Sequence, residues 1–180
     1  MIDQLYNQDD YHWWANLASS SAKKVVPYLL GRYSINSVAD VGCAYGAWLA
    51  EFKKQGVNDI LGIDGSWVNT NELLIPKERF QETDLEKNDF RVKKKYDLAL
   101  SLEVAEHLSE EYSDNLIKQL TLISNRILFS AAIPGQGGQH HLNEQPPSYW
   151  KEKFERHGFE QLDILRPLFW EEERVAWWYR

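Results

Sequence analysis

The run Ser37-Val-Ala-Asp-Val-Gly-Cys-Ala-Tyr-Gly46 constrains the fold more than any other part of the chain. Val38, Ala39 and Val41 make the apolar run of a strand covered on both faces, and Gly42, Ala44 and Gly46 follow at alternate positions. The strand therefore passes into a turn whose backbone a ligand can approach closely. Helix formers resume at Ala47, Leu49, Ala50, Glu51 and Lys53. Strand, small-residue turn and helix N-terminus in that order turn backbone N–H groups toward the strand's carboxyl end, the arrangement of a nucleotide-type cofactor site.

The rest of the sequence repeats this alternation. Residues 17–33 read as an opening helix that Pro27 should kink or interrupt, and 59–64, 79–83 and 96–102 as the second, third and fourth strands. Tyr112, Leu116, Ile117, Leu120 and Ile123 recur at helical spacing, with Ser109 as N-cap. Residues 126–133 form a fifth strand, 146–157 a helix opened by paired prolines and stopped at Gly158, and 159–166 a sixth strand. The reading is a single α/β domain over 1–180, a mainly parallel doubly wound sheet with ligands at the strands' carboxyl ends.

At 180 residues the chain can bury a core without disulfides. The single cysteine, Cys43, reads as a small residue packed beneath the turn, and with no signal peptide or membrane span in the sequence the expected location is cytoplasmic. A net charge of -7 argues against nucleic acid as partner, and the basic run 91–95 reads as a solvated loop. Eight tryptophans and nine tyrosines concentrate near both ends.

The turn's spacing, Asp-x-Gly-x-Ala-x-Gly, departs from the dinucleotide fingerprint G-x-G-x-x-G. It resembles motif I of class I S-adenosylmethionine (SAM) methyltransferases, with Ala44 where that family usually has Gly. The resemblance implies a Rossmann-like fold and SAM over Asp40, Gly42, Ala44 and Gly46. Asp64 ends the second strand, where an acid can accept hydrogen bonds from both ribose hydroxyls. Asp84 follows the third strand, where the family places an acid near the adenine amino group. Gly65, Leu85 and Leu102 complete the implied cofactor-binding set.

The fourth strand runs into Ser101-Leu-Glu-Val-Ala-Glu-His-Leu108. On a helical turn, Glu103, Glu106 and His107 stand at i, i+3 and i+4 and share one face. Two carboxylates and an imidazole suit Mg or Mn better than a structural zinc. Acids also favour a helix N-terminus for its dipole alone. This E-x-x-E-H element resembles ubiquinone-pathway O-methyltransferases and small-RNA terminal 2′-O-methyltransferases, in which the matching residues hold a divalent ion.

The loop after the fifth strand, 133–145, is glycine-rich, with Gly135, Gly137 and Gly138 giving it freedom to fold over a substrate. It brings His140 and His141 to the same edge, either as a further metal ligand, with His141 preferred, or as a catalytic base. His-x-Asn-Glu-Gln followed by Pro-Ser-Tyr-Trp150 resembles methyltransferase domains of bacterial and viral glycan-building proteins. That resemblance implies a sugar or glycan hydroxyl as acceptor, a domain fused to or working with glycosyltransferases, and Trp150 as a stacking platform. The rivals are a phenolic or quinone acceptor on the same metal, and a non-catalytic SAM-binding module. The family's antiparallel seventh strand is expected to be short, over 175–179, or missing, the chain then being a domain cut from a longer protein.

Overall fold

Short apolar strands separated by polar, glycine-bearing turns have only one way to bury both faces, which is side by side between layers of helix. The structure, a computed structural model describing residues 8–87 and 92–180, does this with a sheet in the order β3-β2-β1-β4-β5, every pairing parallel. The strands are β1 (Ser37–Val41), β2 (Asp59–Asp64), β3 (Phe80–Glu82), β4 (Leu98–Leu102) and β5 (Ile127–Ser130). Arg91, the first residue of the basic run, lies outside the described residues.

Alternation along β1 and β4 divides the core. Val38, Leu98 and Leu100 face α1 (Gln8–Arg32) and α2 (Ala47–Lys54), while Ala39, Val41 and Ala99 face α3 (Ser113–Ile123) and Trp150 of α4 (Pro147–Arg156). The start of β1 is fixed to β4 by Asp97, whose Oδ2 accepts from the N–H groups of Asn36 and Ser37 at 2.8 and 3.1 Å. Pro27 lies inside α1 without ending it, and buried Val25, Val26 and Leu29 hold the helix to the core on both sides of it. Ser109 does not cap α3; it precedes a 3₁₀ turn, Glu110–Tyr112, and its side chain makes no capping bond.

The expected sixth strand is absent among the described residues, and of the two alternatives for the seventh the structure shows the missing one. Residues 159–164 are irregular and lead into a short helix, α5 (Leu165–Phe169). Glu160, Gln161, Leu162 and Asp163 are all exposed, so the segment is not packed against the sheet. Residues 175–179 also form no strand. Val175 is buried between α1 and the sheet, the N–H of Ala176 donates to Ser21 Oγ of α1 at 2.9 Å, and Trp177–Tyr179 close a 3₁₀ turn. The final segment thus completes the helical layer, not the sheet.

Candidate active site

Every candidate side chain lies where the parallel strands end. At the end of β1, Gly42 has φ 82°, and a Cβ there would lie 2.2 Å from the side chain of Val104, so the turn tolerates only glycine. The N–H groups of Gly42 and Cys43 donate to the carbonyl of Ile63 at 2.8 and 3.2 Å, which ties the turn to β2. Asp64 finishes the tie. Its Oδ2 accepts from Ala44 N–H and its Oδ1 from Gly65 N–H, both at 2.7 Å, and the Trp67 indole also bonds to it. Burial raises the Asp64 carboxyl above its ordinary pKa, and these donors oppose the shift. Gly65 is closely covered, since a Cβ on it would meet the Trp67 ring.

Asp40 stands beneath the turn. Burial, with the Asp64 charge behind it, pushes its pKa from 3.8 to about 7. Burial likewise pushes the Cys43 thiol up, consistent with a packed small residue. An acid that keeps its proton in the fold stabilises it fully below the unfolded pKa, and loses that contribution as pH rises through the folded value. The stability of the metal-free protein should therefore fall between about pH 4 and about pH 7, and Asp40→Asn should flatten that fall in urea titrations. An unchanged slope in the variant would remove Asp40 as its source.

The other members of the expected cofactor set lie along the same edge. Gly46 is the N-cap of α2, Leu85 is buried, and Leu102 ends β4 half-buried. Asp84 is engaged locally: its Oδ1 accepts from Glu86 N–H at 3.0 Å and Oδ2 pairs with Lys87 at 3.4 Å.

After β4 the chain does not enter the expected helical turn. Glu103 takes a left-handed conformation, φ 57°, and only Ala105–His107 form a 3₁₀ turn, so the residues are not on one helical face. The kink still brings the acids together, because it sets the Glu103 carboxyl against that of Glu106. Glu106, His107 and His141 then offer ligand atoms within 4.8 Å of one another. Glu103 stands beside this group, with Gln136 Nε2 donating to its Oε2 at 2.9 Å.

These carboxyls are costly to ionise in the fold as it stands. Glu106 is wholly buried, and neither of its oxygens, nor Oε1 of Glu103, has a well-formed hydrogen bond. Burial, and then the charge of Glu103, push the Glu106 carboxyl to about 8; burial raises Glu103 as well and lowers His107 to about 4. Buried orphan carboxylate oxygens beside two imidazoles fit a divalent ion of the Mg or Mn kind.

The histidine loop is tied down, contrary to the freedom expected from its glycines. The N–H groups of Leu142 and Asn143 donate to the Glu106 carbonyl at 2.8 and 3.0 Å, and Asn143 Nδ2 donates to Ser113 Oγ at 2.9 Å. His141 Nδ1 lies 2.8 Å from Glu144 Oε1, and His107 Nδ1 lies 3.3 Å from the carbonyl of His140. His140 itself is exposed, with φ 59°. The His141 contact and the loop amides hold Glu144 below its ordinary pKa.

Gln136 had no signal in the sequence; only the fold places it on Glu103. Trp150, expected as a stacking platform, is 4% exposed and packs on Phe129 and Tyr149, so it belongs to the core. The aromatic groups nearer the turn come from both ends of the chain. His12 of α1 packs on Tyr45 and pairs with Glu72 at 3.3 Å, Tyr179 packs on Trp48, and Trp178 on Trp13.

A family model described as a methyltransferase domain matches residues 13–130, well over half of the chain. The chain belongs to this methyltransferase family. The matched span takes in the glycine turn, Asp64, Asp84 and the Glu103–Glu106–His107 turn, and it stops before the histidine loop. The methyltransferase has the fold of class I SAM-dependent methyltransferases. It superposes on the methyltransferase domain of bacterial CtHen1-CN with TM-score 0.60 and 22% identity, over 81% of this chain and 88% of that one. For magnesium protoporphyrin IX methyltransferase from Synechocystis PCC 6803, solved with SAH, the values are 0.61, 16%, 86% and 78%. For human N-acetylserotonin methyltransferase, solved with SAM, they are 0.59, 14%, 89% and 55%, so the chain spans about half the length of that enzyme. No curated protein sequence is a significant match. Among the described residues, no helix of this methyltransferase is long and apolar enough to cross a membrane.

Proposed function

We propose that this methyltransferase transfers the methyl group of SAM to a hydroxyl of a sugar or glycan, with a divalent cation, Mg or Mn, held by Glu106, His107 and His141. The observation that carries the reading is the convergence of those three groups around buried, unsatisfied carboxylate oxygens at the carboxyl edge of the sheet. The neighbours solved with SAM and with SAH support SAM as cofactor, and the glycine turn with Asp64 at the strand ends supports the place proposed for it. SAM's sulfonium makes its methyl electrophilic, and the protein has to align the acceptor and exclude water. An aliphatic hydroxyl is scarcely ionised near neutral pH, and a divalent cation supplies the lowering of its pKa.

The chain's own residues would do the rest. By holding the cation, Glu106, His107 and His141 would fix where two neighbouring hydroxyls of the acceptor lie, with Glu103 beside them kept in place by Gln136. His140, which is exposed, would carry a proton away to solvent. The sugar class rests on the resemblance of the histidine loop to glycan-linked methyltransferases, and working with glycosyltransferases in the cytoplasm remains part of the same proposal.

The experiment measures S-adenosylhomocysteine release with Mn, offering vicinal-diol sugars and catechols in parallel, each with and without EDTA. Metal-dependent turnover of the sugars is the expected result. Turnover of catechols alone would replace the acceptor class, full turnover in EDTA would remove the metal, and none with any acceptor would favour a SAM-binding module.

A further inference from the structure

A three-residue ligand group works only if each imidazole turns a lone pair inward, and a neutral imidazole has one lone pair on either of two nitrogens. What decides the choice is the partner of the other nitrogen. At His141 that partner is Glu144 Oε1, 2.8 Å from Nδ1. An ionised carboxylate only accepts, so Nδ1 must carry the proton and Nε2 the lone pair. The same carboxylate also accepts from the backbone. Gly137 N–H donates to Oε1 at 3.0 Å and Gly135 N–H to Oε2 at 2.8 Å, so one side chain gathers both glycines and the imidazole. The ring is confined on its other side, where a Cβ on Gly138 would lie 2.3 Å from Nε2. His107 follows the same logic from the same loop: its Nδ1 faces a carbonyl, that of His140, which also only accepts.

We propose that Glu144 is the positioning residue of this site, holding His141 in the Nδ1–H tautomer with Nε2 presented to the ligand group, and locking the glycine loop in the form that orients both histidines. The use made of Nε2 rests on the metal-assisted reading above; the tautomer does not. In this arrangement the loop is organised before a cation arrives.

The test uses the metal-free protein labelled with 15N-histidine, at a pH where the imidazoles are neutral, and reads the protonated nitrogen of His141 from long-range proton–nitrogen correlations. Wild type should show Nδ1–H. In E144A the signal should move toward the Nε2–H form that an unconstrained imidazole prefers, and Mn affinity, read by water-proton relaxation, should fall about tenfold to a hundredfold. E144Q keeps one acceptor oxygen of the same shape and should retain the Nδ1–H form with a smaller loss of Mn affinity. A wild-type His141 protonated on Nε2, or variants with wild-type tautomer and wild-type Mn affinity, would overturn the proposal. If wild type binds no Mn while the tautomer still follows residue 144, the metal reading fails and the positioning role stands.

Discussion

Glu106→Ala is expected to abolish methyl transfer while leaving SAM binding unchanged. Glu106 is completely buried and contributes the only carboxylate of the three-residue ligand group. A small cation loses most of its affinity when a carboxylate leaves its shell, so turnover should fall by more than about a hundredfold. The glycine turn proposed for SAM is hydrogen-bonded to Ile63 and Asp64, and those bonds do not involve Glu106. Glu106→Gln separates charge from shape. It removes a carboxyl that burial already pushes to about 8, and so should leave the metal-free fold at least as stable as wild type near neutral pH while still losing Mn. Calorimetry with SAM, Mn titration and S-adenosylhomocysteine release give the three readings. Full turnover by Glu106→Ala would defeat the assignment.

Asp64→Ala should produce the mirror image, weak SAM binding with an intact cation group. Loss of a charged, bidentate acceptor commonly costs about 1.5 to 3 kcal/mol, or roughly tenfold to over a hundredfold in affinity. The structure adds a second effect, because Ala44 and Gly65 would lose the acceptor of their N–H groups and the turn one of its ties to β2. The variant should therefore melt at a lower temperature as well. Mn affinity should be unchanged, since Glu106, His107 and His141 belong to other elements. SAM affinity equal to wild type would show that Asp64 serves the turn alone.

Where a residue type and its spacing dictate the backbone, the sequence was a sufficient guide. The glycine turn, the five parallel strands and Asp64 at the end of β2 all follow from local pattern. The E-x-x-E-H spacing pointed to acids that the fold does bring together, but for an incomplete reason. A regular helix would have aligned them, but the left-handed kink at Glu103 sets its carboxyl against that of Glu106, and no periodicity encodes a single positive φ. Trp150 misled because aromatic character alone does not distinguish a stacking surface from a core residue; burial against Phe129 decides it. The glycines of the histidine loop misled similarly. Their freedom is spent on satisfying Glu144, a contact between residues seven and nine positions apart that sequence proximity does not reveal.

The bond between Ser21 Oγ and the N–H of Ala176 joins residues 155 positions apart. During synthesis α1 emerges before β1–β5, and the segment carrying Val175 and Ala176 emerges after them. The first helix must wait for a partner that the ribosome has not yet made. Contacts of such long range slow folding and leave apolar surface uncovered in the meantime. On a nascent chain halted before residue 175, the surface of α1 that later receives Val175 stays open to chaperones, however complete the sheet beneath it. Final closure of the layer that holds α1 and α2 is thus a late event, set by translation as much as by the stability of the strands.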